Sequence, residues 1–206
     1  MRKGLKSSLL VAAMIGLSGC GDEASTPSSA QAPMPKSVAA DAQLKPQHFA
    51  NVQAMVEDFA DFAEENGTFK LISSDPLHIQ LAAQVVANDL EETIQTELQR
   101  VAIYGVYRTL IHTDAPAVHV TAVPMEITVN PYSARFLDAP KVDVVVTRDE
   151  ALQAAKNLIE VESLADLVTP DNSMGIQIDS WSSAFQPYYY KLEGQQAVLA
   201  ELGGKR

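Results

Sequence analysis

Apolar residues recur at helical spacing beyond position 48. Between positions 49 and 63 they come three or four residues apart, and acidic residues occupy most of the opposite side. The apolar positions are Phe49, Val52, Val56, Phe59 and Ala63. This spacing predicts an amphipathic helix. Asn66-Gly67 ends it, because these two residues readily adopt the left-handed backbone found after a helix.

The next segments predict a short strand over residues 68–73 and then a long helix. Ser74-Asp75-Pro76 marks the start of that helix, because it supplies a capping side chain and a proline suited to a first turn. One side of the following segment is apolar and the other polar up to Arg100, which predicts a helix at least to that residue.

Residues 101–107 are apolar on all sides of the same helix. A helix that changes from one apolar side to apolar all round is passing into the centre of a domain, so this half is the predicted hub of the core. Gly105 is expected to let another element approach its backbone closely. Arg108 follows, and its charge must reach solvent along the side chain or meet a carboxylate.

Residues 117–129 alternate between apolar and polar positions, which predicts a strand. The apolar residues are first even-numbered and then odd-numbered: Val118, Val120 and Ala122, then Met125, Ile127 and Val129. A strand keeps one apolar face through such a change only if it absorbs an extra residue. We therefore predict a bulge or bend at Val123-Pro124, with Pro124 on a sheet edge.

The rest of the chain predicts alternating short elements. These are a strand over residues 141–147, a helix opened by the capping box Thr147 to Glu150 and running to about Glu160, a short helix from Ser163 that Pro170 closes, a brief strand at Ile176 and Ile178, and a helix over residues 195–202. The order of elements predicts an α+β domain with a small, mainly antiparallel sheet packed against about four to five helices.

The N-terminus has the pattern of an export signal. Arg2, Lys3 and Lys6 precede an apolar run over residues 9–17, which is too short to span a bilayer. The run ends in Leu17-Ser18-Gly19-Cys20, and Cys20 is the only cysteine of the 206 residues. This arrangement resembles the lipobox of bacterial lipoproteins, in which small side chains let a peptidase reach the backbone beside the cysteine.

The lipobox resemblance implies a signal peptide over residues 1–19 and a lipid on Cys20 that holds the protein on a membrane of the bacterial envelope, facing the periplasm. In this family, an Asp directly after the cysteine signals inner-membrane retention in enteric bacteria. Here Gly21 holds that place and Asp22 comes next, which favours the outer membrane.

Residues 20–45 predict a flexible tether, because they are rich in Ala, Ser and Pro and contain no aromatic residue. Residues 46–206 then suit one globular domain. The chain has 15 basic and 26 acidic residues, and removal of residues 1–19 leaves 15 − 3 = 12 basic residues and a net charge of −14. Such acidity disfavours binding to nucleic acid, because the phosphates are also negative, and it fits a basic protein partner. The alternative is that the acidity only keeps the domain soluble.

Candidate chemistry is sparse. The mature chain has no G-x-S-x-G, P-loop, H-E-x-x-H or G-x-G-x-x-G motif, so no catalytic residue and no cofactor are predicted. His112, Asp114 and His119 have the types and spacing of a zinc site. The alternative places His119 on the solvent side of a strand and His112 at a helix C-terminus.

An aromatic segment offers a candidate binding surface of Trp181, Tyr188, Tyr189 and Tyr190, because three adjacent tyrosines cannot all point inward. The alternative is that Trp181 and Phe185, four residues apart, cover the core while the tyrosines pack at its rim with exposed hydroxyls.

These features predict a non-catalytic interaction or accessory domain on the envelope, with an immunity-like role or a place in an envelope assembly. A second hypothesis is a carrier that binds a small amphiphile or lipid between the sheet and the helices, which requires an internal pocket near Gly105. A third is a hydrolase whose catalytic residues are dispersed along the chain.

Overall fold

A computed structural model describes residues 44–203, which form five α-helices, one 3₁₀ turn and seven strands. In chain order these are α1 (Val52–Phe59), β1 (Phe69–Ser74), β2 (Leu77–Val86), α2 (Glu91–His112), β3 (Ala117–Val129), β4 (Tyr132–Phe136), β5 (Val142–Thr147), α3 (Arg148–Leu158), the 3₁₀ turn Leu164–Leu167, β6 (Val168–Asp171), β7 (Ile178–Trp181), α4 (Gln186–Tyr190) and α5 (Leu192–Glu201). The predicted signal peptide, Cys20 and nearly all of the predicted tether lie outside the described residues.

The main sheet has five strands and is mixed. β1 pairs antiparallel with β2, and β2 pairs parallel with β3 across the connecting helix α2. The other edge of β3 is shared between two antiparallel partners, β5 along its first half and β4 along its second. β6 and β7 form a separate antiparallel pair. The predicted α+β class with a mainly antiparallel sheet is confirmed.

Helix α2 lies against one face of the main sheet and forms the hub of the core, as predicted. Residues 101–107 are all buried. A Cβ atom added at Gly105 would lie 2.7 Å from Val120 Cγ1 and 2.9 Å from Leu81 Cδ1, closer than real Cβ contacts allow. Glycine is therefore required here, because the helix backbone rests directly on two strands. In the described residues, no helix is both long and apolar enough to cross a bilayer.

The predicted start of the long helix at residues 74–76 is wrong. Asp75-Pro76 forms the turn between β1 and β2, and α2 begins only at Glu91. The intervening segment is a strand because Ile79, Leu81 and Val85 alternate with more polar residues and point to the core side with period 2. A proline suits a turn as well as a first helical turn, so the signal was ambiguous.

The predicted bulge at Val123-Pro124 is also wrong. The pairing of β2 with β3 runs from His78–His119 to Val86–Ile127 without a shift. The apolar residues change from even-numbered to odd-numbered positions because the later ones belong to the opposite face of the sheet. A second, small cluster of Ala82, Val123 and Met125 is buried there. Pro124 lies where β5 pairing has ended, and its carbonyl accepts from the Leu137 N–H on the β4 side. The nitrogen and the carbonyl oxygen of one strand residue face the same side. The N–H that proline lacks would therefore have faced β4, and no hydrogen bond between β3 and β2 is lost.

Two other boundaries differ from the predictions. Helix α1 ends at Ala60, whose φ of 54° is left-handed, and the Asn66 side chain instead accepts from the Thr68 N–H. Ser163 opens only a 3₁₀ turn, and Pro170 belongs to strand β6 instead of closing a helix. The capping box of Thr147 and Glu150 at the start of α3 is confirmed.

Candidate functional site

A buried arginine on helix α2 is the most unusual polar group of the domain. Arg108 is 8% exposed, and its guanidinium carbon lies 4.1 Å from the centre of the Trp181 ring. Its Nη1 donates to the Asp179 carbonyl oxygen at 2.7 Å. Within residues 44–203, no carboxylate oxygen lies within 4.0 Å of this guanidinium. The cation is therefore held by a π face and a carbonyl without a direct ion pair.

His112, one turn after Arg108, is fully buried and must be neutral with its proton on Nδ1. Its Nδ1 lies 2.8 Å from the Gln47 carbonyl oxygen, which can only accept, so Nδ1 donates. Its Nε2 lies 3.2 Å from Arg108 Nη1, which can only donate, so Nε2 accepts. Burial is the main reason why the pKa of His112 falls to about 4, and the nearby Arg108 charge lowers it further.

The same network holds the first residues of the domain. The Gln47 N–H donates to the Asp179 carboxylate at 2.7 Å, and the Gln177 side chain donates to the Lys45 carbonyl oxygen at 2.7 Å. The Phe49 N–H donates to the His112 carbonyl oxygen at 2.7 Å. Residues 45–49 are thus bound at three points between the end of α2 and strand β7.

A cleft of about 300 Å³ opens beside this network. Its lining contains the cation of Arg108, the carboxylates of Asp58 and Asp61, and the apolar side chains of Phe59, Ile176 and Ile178; Gln47, Gln177 and Asp179 complete it. Ile176 and Ile178 are exposed at its rim. The cleft therefore combines both charges with an apolar rim.

The main-sheet face opposite α2 carries a second polar cluster. The rings of His78 and His119 stack with their centres 3.6 Å apart. Thr121 Oγ1 lies 2.6 Å from Asp143 Oδ1 and 3.0 Å from His78 Nε2, and His119 Nε2 lies 3.3 Å from the same carboxylate oxygen. The Thr121 hydroxyl donates to the carboxylate, so it accepts from His78. Burial lowers the pKa of His78, and His119 lowers it further.

This histidine cluster does not form a metal centre in the described part of the chain, where no three His, Cys, Asp or Glu side chains enclose an ion position. A ring nitrogen binds a metal in the plane of its ring, and the two rings are parallel within 10°. The two Nε2 atoms therefore do not point at one ion position, and His78 Nε2 is already used as a donor to Thr121.

The end of the β3–β4 hairpin presents apolar side chains on that same face. The strand register places them together: Val86 beside Ile127, Val129 opposite Tyr132, and Phe136 opposite Met125. We call the set Val86, Ile127, Val129, Tyr132 and Phe136 the hairpin face. Val129 is 80% exposed and Tyr132 71% exposed, so the hairpin face is an exposed apolar surface built from neighbouring strands.

The structure gives different partners to the three residues of the predicted zinc site. His112 is buried in the Arg108 network, and Asp114 lies 3.1 Å from the exposed ring of His48. His119 is on the open sheet face beside Asp143. The positions are those of the alternative, with His119 on a strand and His112 at a helix C-terminus, but His112 is buried and neutral instead of a protonated group stabilised by the helix dipole.

The predicted aromatic surface is largely internal. Trp181 and Phe185 are buried in the core, and the Tyr188 hydroxyl donates to the Leu158 carbonyl oxygen at 3.0 Å. Tyr189 packs against Trp181 with ring centres 4.9 Å apart, and burial raises its pKa to about 12. Only Tyr190, 61% exposed, faces solvent among the four. The segment mainly closes the core.

Sequence reasoning missed His78, Asp143, the cleft beside Arg108 and the hairpin face. His78 and His119 meet only because β2 and β3 are parallel neighbours, and β2 was predicted as helix. The alternation of Ile79, Leu81 and Val85 was the available signal for that strand.

No known protein family, curated protein or solved structure matches this chain. The functional reading therefore rests on the residues and their geometry.

Proposed function

We propose that this chain is a lipid-anchored protein of the bacterial envelope whose folded domain acts by binding another protein, without catalysis. The anchor is proposed on the Leu17-Ser18-Gly19-Cys20 sequence, and residues 20–45 serve as the tether. The observation that supports binding is the hairpin face, which exposes apolar side chains that a soluble domain has no reason to keep in contact with water.

The chemistry of the partner follows from the hairpin face and from the net charge. The residues that line a cleft with Phe136 include Glu64, Lys70 and Lys141, so the border of the hairpin face carries both charges. An apolar centre fits a partner that offers an apolar patch of its own. The net charge of −14 expected for the mature chain supports a basic protein partner.

The geometry supports an interaction domain over an amphiphile carrier. A carrier needs space between helix and sheet near Gly105, and at that point the backbone of α2 touches Val120 and Leu81 directly. The clefts found in the described residues open at the surface.

A matched pair of variants tests the binding surface. Val129→Ser combined with Tyr132→Ser alters the hairpin face, and Val145→Ser alters another valine that is 70% exposed but lies on β5. We expect the double variant to keep its melting temperature and to lose capture of an envelope protein, while the control retains it. Equal capture by all three proteins refutes the proposed surface.

The anchor has its own test. Cys20→Ser is expected to abolish incorporation of labelled fatty acid and to release the protein from the membrane fraction, because the sulfur that carries the diacylglyceryl group is gone. Unchanged membrane association of the variant would contradict lipid anchoring. This result is independent of the hairpin experiment.

A further inference from the structure

The guanidinium of Arg108 has no carboxylate oxygen within 4.0 Å among residues 44–203, although the carboxylate of Asp61 acts on it from a longer distance. Nη1 is used by Asp179 and His112, and Nε is buried without a hydrogen-bond partner. Nη2 makes no hydrogen bond to residues 44–203 and is not among their fully buried unpaired atoms, and Arg108 is one of the residues that line the cleft. A desolvated cation is stabilised by a carboxylate that comes into direct contact with it.

Asp179 does not supply the missing carboxylate. Its Oδ2 accepts from the Gln47 N–H and its Oδ1 accepts from the Gln177 amide at 2.9 Å. Both oxygens are thus engaged by Gln47 and Gln177, and neither lies within 4.0 Å of Arg108. A carboxylate entering from the cleft meets the free Nη2.

The other residues that line the cleft determine which further groups a ligand with such a carboxylate can carry. Asp58 and Asp61 are exposed on helix α1 and just after it, and both line the cleft with Arg108. They repel a ligand with several negative charges and attract an ammonium group. Ile176 and Ile178 at the rim offer an apolar contact. The volume of about 300 Å³ is at the lower limit of small-molecule sites.

We propose that this cleft binds a free amino acid or a dipeptide with an apolar side chain, through its carboxylate at Arg108 Nη2 and its ammonium group at Asp58 and Asp61. The site is separate from the hairpin face and stands independently of the proposed protein partner. It makes the domain a receptor for a small zwitterion.

The only tryptophan of the chain reports on this site, because the Trp181 ring lies against the Arg108 guanidinium. The full-length protein is titrated with leucine, leucinamide and 4-methylpentanoate while Trp181 fluorescence is recorded. We expect saturable binding of leucine with a Kd near 1 mM or below. Leucinamide lacks the carboxylate and should bind about ten- to hundredfold more weakly, and 4-methylpentanoate lacks the ammonium group and should also bind more weakly.

Variants of the protein test which residues bind the carboxylate and which bind the ammonium group of the ligand. Arg108→Met should abolish leucine binding, and Asp61→Asn should weaken it several-fold, whereas Asp138→Asn, an exposed aspartate outside the cleft, should leave it unchanged. If Arg108→Met does not fold, the ligand series and Asp61→Asn still decide. No saturable signal with leucine up to about 50 mM, more than tenfold above the Kd expected for so small a ligand, overturns the proposal. Equal binding of leucinamide, or tighter binding by Asp61→Asn, overturns it as well.

Discussion

Acid should destabilise this domain through His112. The pKa of this histidine is 6.5 in an unfolded chain and about 4 in the folded domain. Because the folded pKa is the lower one, the unfolded chain binds the proton first as the pH falls. The stabilisation is complete above pH 6.5 and is lost progressively as the pH falls from 6.5 towards 4. A difference of about 2.5 pKa units corresponds to about 3 kcal/mol, of which about 2 kcal/mol is lost between pH 7 and pH 4.5.

The structural cause is the fixed tautomer. A proton on His112 Nε2 removes the acceptor of Arg108 Nη1 and places a second positive charge 3.2 Å from it. Urea unfolding at pH 7 and pH 4.5, followed by Trp181 fluorescence, measures the loss. His78 contributes in the same direction, because its pKa is also lowered, so the wild type alone does not isolate His112.

His112→Asn isolates the effect, because Asn keeps a donor for the Gln47 carbonyl oxygen and does not titrate. The variant should be less stable at pH 7, and its loss between pH 7 and pH 4.5 should be about 2 kcal/mol smaller than that of the wild type. A ring-proton NMR titration of His112 with its midpoint near 4 is the direct companion measurement. Identical pH dependence in both proteins, or a midpoint near 6.5, refutes the reasoning.

Two further predictions concern the core and a helix cap. Gly105→Ala should destabilise the domain by about 1 to 2 kcal/mol in urea unfolding despite the better helix propensity of alanine, because its Cβ collides with Val120 and Leu81; a stabilised variant would contradict the direct contact of helix and sheet. Thr147→Ala should cost about 1 kcal/mol, seen as a lower melting temperature, because the Glu150 N–H loses its cap at the start of α3; an unchanged melting temperature would show that the cap contributes nothing.

The sequence predicted those parts of the fold whose signals are local. The capping box of α3 uses residues three positions apart, and the all-round apolar half of α2 has no explanation other than burial. The requirement for Gly105 followed from the same reasoning. Strand β4 was missed because residues 132–136 are exposed along their length and contain Ser133 and Arg135, so pairing through the backbone leaves little pattern in the side chains.

The candidate site could not be read from the sequence, because its parts are distant along the chain. Arg108 meets the backbone of Asp179, and His112 meets the backbone of Gln47, which is 65 positions away. Backbone carbonyls are the same in every residue, so nothing in the sequence names them as partners. The prediction for Arg108 named solvent or a carboxylate and did not include the cation–π contact with Trp181, which only the fold brings to it.

Site-specific photo-crosslinking in cells tests binding through the hairpin face most directly. A photoreactive residue is placed at position 132 or, as the control, at position 145, in the full chain with Cys20 intact. We predict that position 132 crosslinks to one envelope protein, that position 145 does not, and that Cys20→Ser reduces the yield. No crosslink from position 132, or the same products from both positions, would contradict the proposal that this anchored domain works through its hairpin.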